Sequence, residues 1–206
     1  MRRARLAKNV ILVGVSRDRP AVVQGDRTVL LEVDHPSYEQ ARDVLARFAE
    51  LERSPEHVHT YRLSALALWN AAALGVTADE VVAGLAGISR FEIPAHVEHE
   101  IRELLARHGV CRIVDGPDPT TLWLEVDSEP LRVRIEREPK LAPLVVRAGA
   151  RFQVAVVARG LLKRGLLAIG YPVEDVAGLV DGAPLALSAR RDVFEPYPYQ
   201  VAAVRR

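Results

Sequence analysis

The sequence predicts an α+β protein made of two small mixed α/β domains, the first helix-rich and the second a short sheet with helices. Three observations carry that expectation. Short stretches alternate apolar and polar side chains with a period of two; other stretches repeat at helical spacing between recognisable caps; and one proline–glycine stretch would suit neither a helix nor a central strand. With 206 residues, 49% of them hydrophobic, the chain can bury two small cores. Its single cysteine, Cys111, excludes an internal disulfide and points to a reducing cytoplasm. No apolar run approaches the roughly 20 residues of a membrane helix, so no membrane partner is expected.

Taken in order, residues 1–20 form an N-terminal extension. MRRARLAK followed by NVILVGVS imitates a signal peptide, but the apolar run is short and no small-residue cleavage site precedes Arg17-Asp18-Arg19, so the run is predicted to be a strand. The first domain is placed at 21–115. Val29, Leu31 and Val33 alternate with Thr28, Leu30, Glu32 and Asp34, which predicts a half-buried strand over 28–34. Ser37 with Gln40 suggests a capping box, and Tyr38, Ala41, Val44, Leu45, Phe48 and Leu51 recur at helical spacing until Ser54-Pro55. A second strand follows over 57–63. Ser64 caps an almost wholly apolar helix ending at Gly75, and Thr77 with Glu80 opens the next. Pro94 starts a third, with Val97, Ile101, Leu104, Leu105 and His108 on one face and Gly109 at its end. Residues 110–114 return as a strand.

Asp115-Gly116-Pro117-Asp118-Pro119 reads as the linker between domains. The second domain is placed at 116–190. Thr121 to Asp127 repeats the alternation of 28–34, residues 151–158 form a strand, and 161–169 a helix stopped by Gly170 in which Leu161, Leu162, Leu166 and Leu167 pack inward. Residues 191–206 begin a further unit.

The chemistry is mostly defined by exclusion. No Gly-x-x-x-x-Gly-Lys-Ser/Thr loop is present to cradle nucleotide phosphates, no Gly-x-Ser-x-Gly elbow presents a nucleophile, and Cys111 sits in an apolar strand without a base. Catalytic residues and resident cofactors are therefore not expected. His96, His99 and Glu100 on one helix, and His57 with His59 on one strand, lack metal-site spacing and read as solvated faces. Paired carboxylates Glu32/Asp34 and Glu125/Asp127 read as strand ends and caps.

Charge is distributed unevenly. The net formal charge is +1, yet residues 32–56 carry −4 and residues 132–164 carry +7. Such a basic stretch suits phosphate backbones, because each neutralised phosphate releases a counterion. The candidate DNA contacts are Arg132 and Arg134, which share a face if their segment is extended; Arg151; and Arg159, Lys163 and Arg164 on the last helix. Trp123 and Phe152 could stack on bases, but both fit strand patterns and are assigned to the core.

Several long strings resemble one family. VVQGDRTVLLEVDH, FAELERSPEHVHTYRLSALALWNAAALG, the helix begun by Pro94, KLAPL (140–144) and GYPVEDVAGLVDG (170–182) are similar, in this order, to the N-terminal, non-motor region of bacterial XPB-type DNA repair helicases over residues 21–206. The resemblance implies an ATP-dependent DNA unwinding parent of 3′ to 5′ polarity that uses ATP and magnesium and lies on the nucleoid. It also implies a damage-recognition-like domain after residue 116, and a front domain that docks the helicase motor domains, a repair nuclease or a transcription/repair protein. Pro198-Tyr199-Gln200 looks like the opening of the first motor domain, with Gln200 at the place of a residue near bound adenine, although Tyr197 stands where an arginine is common. Where the family carries a leucine-rich basic helix before KLAPL, EPLRVRIEREP alternates as a strand would, between Pro130 and Pro139. Two readings result: a DNA-binding accessory region without its own motor activity, or a protein-docking module.

Overall fold

A computed structural model describes residues 18–178 together with residues 197 and 200. The strand expected within 1–17, and the Pro198-Tyr199 pair, lie outside the described residues. The architecture is α+β: two antiparallel-rich sheets, each with its own hydrophobic cluster.

The first sheet has the order β1-β2-β4-β3, from β1 (Ala21–Val23), β2 (Thr28–Glu32), β3 (Glu50–Arg53) and β4 (Val58–Arg62), all antiparallel. The alternation in β2 is real, with Val29 and Leu31 fully buried. Helix α1 (Tyr38–Leu45) is shorter than its apolar spacing suggests, and Ser37 makes no side-chain cap. Phe48 is buried in the turn that follows. Residues 50–53 are a solvent-exposed edge strand pairing Glu50 with Arg62 and Leu51 with Tyr61. An edge strand that buries nothing shows no period-two signal, so a helical spacing extended through Leu51 by coincidence.

Helices α2 (Ala65–Ala73), α3 (Ala78–Ile88) and α4 (Ala95–Ala106) follow their punctuation closely. The Ser64 hydroxyl accepts from the Ala67 N–H, and Gly75 takes φ +84° at the end of α2. Thr77 and Glu80 form the reciprocal capping box in full, with the Thr77 N–H donating to Glu80 at 2.8 Å. Val97, Ile101 and Leu105 of α4 are buried, and the Trp69 indole N–H donates to the Leu104 carbonyl at 2.8 Å, pinning α2 to α4. Among the described residues no single helix is long and apolar enough to cross a membrane.

The second sheet runs β7-β8-β6-β5-β9, from β5 (Cys111–Asp115), β6 (Thr121–Val126), β7 (Val145–Ala148), β8 (Arg151–Ala155) and β9 (Val173–Asp175). Only the β5–β9 pair is parallel. Cys111 pairs with Val126 and Asp115 with Leu122, so the stretch 115–119 is the turn joining two neighbouring strands of one sheet rather than a free linker. The change from one hydrophobic cluster to the other falls earlier, between Leu105 and Cys111. Burial pushes the Cys111 thiol up to about 12, with the Asp127 charge adding to the effect, so it stays an un-ionised core residue at neutral pH.

Residues 129–137 are a helix, α5 (Glu129–Arg137), and not the extended segment their alternation suggests. Ser128 accepts from the Leu131 N–H, Pro130 fits the first turn, and Arg134 and Arg137 meet the negative end of the helix dipole. In this form Leu131 and Ile135 are buried together, at about 2 kcal/mol each. Helix α6 (Arg159–Ala168) buries Leu162 and Leu166 but leaves Leu161 and Leu167 exposed, because a single sheet face can cover only one stripe of it.

The register sorts the sheet into two faces. Ile113, Leu124, Phe152 and Val154 point into the cluster shared with α5 and α6. The residues between them, Trp123 included, point the other way and none is buried. Phe152 is core as expected, whereas Trp123 is not.

Candidate nucleic-acid interface

Helices α5 and α6 and the step after α5 hold seven of the nine basic residues of the stretch 132–164. Gly165 in α6 has no room for a side chain: a Cβ there would lie 2.4 Å from Cδ2 of the fully buried Leu141. That contact seats α6 directly on the residue that follows Lys140, so Arg164 and Lys140 flank one close approach. On α5, Glu129, Arg132 and Glu136 take the flank toward β7, where Glu129 and Glu136 bind Arg147 at 2.8 and 3.1 Å. Arg134 and Arg137 lie on the other flank, by helical spacing. On α6, Arg159 and Lys163 take the flank toward β9, opposite the one that Gly165 turns to Leu141.

The sequence-chosen residues therefore divide. Arg132 is a fold-holding residue, its side chain only 16% exposed, bonded to Glu129 at 2.7 Å and to the backbone carbonyls of Val126 and Ala150. With the segment helical, it does not share a face with Arg134. Arg159 makes a two-pronged contact with Asp175 at 2.8 and 2.6 Å and donates to the Ala177 carbonyl at 2.9 Å. Lys163 reaches the same carboxylate at 2.8 Å. Arg151 lies over the Trp123 ring, 4.0 Å from its centroid. Arg134 and Arg164 are exposed and have no carboxylate partner among the described residues. Arg137 and Lys140 share that condition and were not singled out in the sequence. The signal that finds them is the Ser128 and Pro130 pair: once α5 is helical, Arg134 and Arg137 are three apart on one flank.

Asp175 is the anchor of the paired group, with a side chain 9% exposed. Burial alone would raise its pKa, but the hydrogen bonds from Arg159 and Lys163 outweigh that and hold it below its ordinary 3.8. A carboxyl depressed in the folded state contributes stability that is complete above its unfolded value and is lost as pH falls through the folded one. Acid unfolding that begins below about pH 4 should thus include this group. Asp175→Asn is expected to lower the unfolding free energy by about 2 kcal/mol in urea melts at neutral pH, less than for a sealed pair because both cations remain partly solvated.

The remaining candidates are structural. The His96 ring bonds to the Gly25 carbonyl at 2.8 Å, His57 faces Asp34 at 3.2 Å, and Glu32 pairs with Arg90. No group of three potential metal ligands occurs among the described residues. The Gln200 side-chain oxygen accepts from the Tyr197 N–H at 2.9 Å, and the Gln200 backbone N–H donates to the Tyr197 carbonyl at 2.9 Å.

Residues 21–150 match the family described as helicase conserved C-terminal domain. The chain is 43% identical over 189 residues to a DNA 3′-5′ helicase XPB of Kineococcus radiotolerans, an alignment covering 91% of this chain and 34% of that protein. It is 42% identical over 188 residues to a DNA 3′-5′ helicase XPB of Mycobacterium tuberculosis, covering 89% and 34%. A general transcription and DNA repair factor IIH helicase/translocase subunit XPB of Dictyostelium discoideum is 29% identical over 108 residues, covering 52% and 14%. The chain thus spans about a third of the length of the two bacterial relatives.

Proposed function

The chain belongs to the helicase conserved C-terminal domain family, has XPB helicases among its homologues, and from that premise we propose that it is a DNA-binding accessory region of an ATP-dependent 3′–5′ repair helicase. It positions forked or damaged DNA for motor domains that bind ATP and magnesium, and Gln200 would complete the adenine site only alongside them. The sequence supplies no phosphate-cradling loop of its own, which fits a gripping role without turnover.

The observation that carries this reading is the group Arg134, Arg137, Lys140 and Arg164: four exposed cations, unpaired among the described residues, carried by α5, by the step that follows it and by α6, which meets that step at Gly165 and Leu141. Four phosphate contacts imply that log affinity falls against log salt with a slope of about −3.6. Titrating forked, single-stranded and duplex DNA over a range of salt tests it. Absence of binding to all three at low salt rejects the reading. Asp175→Asn, which strips Arg159 and Lys163 of their counterion, should steepen the slope.

A second reading, docking of the motor domains or of a nuclease or transcription/repair protein, is favoured by one observation. Helix α2 buries Ala67, Leu68, Trp69 and Ala71 yet leaves Leu66 51% and Leu74 83% exposed on a unit that includes the acidic stretch. Capture of the parent's motor portion by the wild-type chain, lost in a Leu66→Ser/Leu74→Ser variant, would support it.

A further inference from the structure

The second sheet packs α5 and α6 against one side, and none of the described strand residues on its other side is buried. Across that other side, Val114, Trp123, Gln153 and Val146 lie in register on four neighbouring strands. The adjacent row places Glu174, Arg112, Glu125 and Arg151 side by side. Trp123 stands on the central strand of the five. The Arg151 guanidinium is stacked over its ring at 4.0 Å and makes no ion pair with any described carboxylate, Glu125 included.

We propose that this face binds the unstacked bases of single-stranded DNA, with Trp123 and Arg151 together as the stacking surface. The inference rests on the reading that the chain binds DNA, but it uses a different surface from the helical one. The indole is half-buried on the sheet, and the part it leaves exposed is a stacking surface that every base can use. A guanidinium lying on it presents a second planar face to a base, while its N–H groups remain able to reach a phosphate. Gln153, the cross-strand neighbour of Trp123, adds an amide donor and acceptor for a base edge. Duplex DNA does not fit, because its bases are stacked on one another and offer only edges within grooves that a flat sheet cannot enter. A protein partner is a poorer match. Among the described residues Val146, at 66%, is the one large apolar side chain on this face that is strongly exposed, and the row beside it alternates in charge. Arg151, by contrast, is a cation with no counterion among the described residues, and a phosphate supplies one.

Intrinsic fluorescence of the full chain tests the site directly. Its two tryptophans differ: Trp69 is buried and hydrogen-bonded to Leu104, so a base landing on this face of the sheet changes the emission of Trp123 and leaves that of Trp69 unchanged. Adding a short oligothymidine should quench the emission, and a blunt duplex of equal length should not. Trp123→Ala should weaken oligothymidine binding about tenfold, Trp123→Phe should keep most of it, and Arg151→Gln should fall between them. Urea melts check that each variant is folded, and quenching in the wild-type chain decides the matter even where a variant is not. If oligothymidine binds without altering the emission, or binds Trp123→Ala as tightly as wild type, this site is wrong while the helical surface still stands. If neither probe binds at low salt, the DNA-binding reading falls and takes this site with it.

Discussion

Replacing Arg134, Arg137, Lys140 and Arg164 together with glutamate is expected to lower DNA affinity about a hundredfold or more at low salt and to flatten the salt dependence almost completely. The four side chains are exposed and have no carboxylate partner among the described residues, so their replacement breaks no ion pair and lowers stability only by about 1–2 kcal/mol, through the reversed charges at the C-terminal end of α5. Arg132, Arg159 and Lys163 should behave in the opposite way. Each is held by a carboxylate, and Arg132 and Arg159 also by backbone carbonyls. Alanine at these positions should lower thermal stability and leave the slope of log affinity against log salt nearly unchanged. Anisotropy titrations and thermal melts on the two sets separate residues that hold the fold from residues that meet the ligand. Equal binding by the fourfold variant would exclude the α5–α6 surface.

Gly116→Ala is expected to be among the most damaging single changes, at about 3 kcal/mol in urea unfolding. A Cβ at Gly116 would lie 2.2 Å from the Thr121 carbonyl oxygen and 2.9 Å from the Leu122 nitrogen, both of them backbone atoms that cannot swing aside. Gly149 provides a control. It holds φ +67° in the turn between β7 and β8, but open space surrounds it, so alanine there meets only backbone strain of about 1–2 kcal/mol. A glycine in a free linker would accept alanine at no cost, and Gly116 is instead where two strands of one sheet pass in contact.

The elements legible in the sequence were those whose signals are local. Ser64, Thr77 with Glu80, and Gly75 each act within a few residues, and the structure shows the hydrogen bonds and positive φ that they announce. The misreadings arose where two periods fitted the same letters. Phe48 and Leu51 continue a helical spacing by accident, and Leu131, Val133 and Ile135 satisfy both a strand and a helix until Ser128 and Pro130 are weighed. The candidate interface was legible as a charge excess but not residue by residue. Nothing near Arg159 and Lys163 announces that Asp175 will turn toward them from β9. Likewise Trp123 follows the alternation of a half-buried strand, and the letters do not say which face of that strand the helices α5 and α6 cover.

Among the described residues, the strand that completes the second sheet is also its last. β9 comes after every other element of that sheet and inserts in parallel beside β5, its first strand, pairing Val173 with Cys111. On the ribosome, a nascent chain that has already formed β5 to α6 would still expose the free edge of β5, while Arg159 and Lys163 wait for their counterion. Closure comes only when Asp175 leaves the exit tunnel. Any pause in translation after α6 has emerged and before Asp175 has followed it lengthens the time for which an open edge is offered to neighbouring chains.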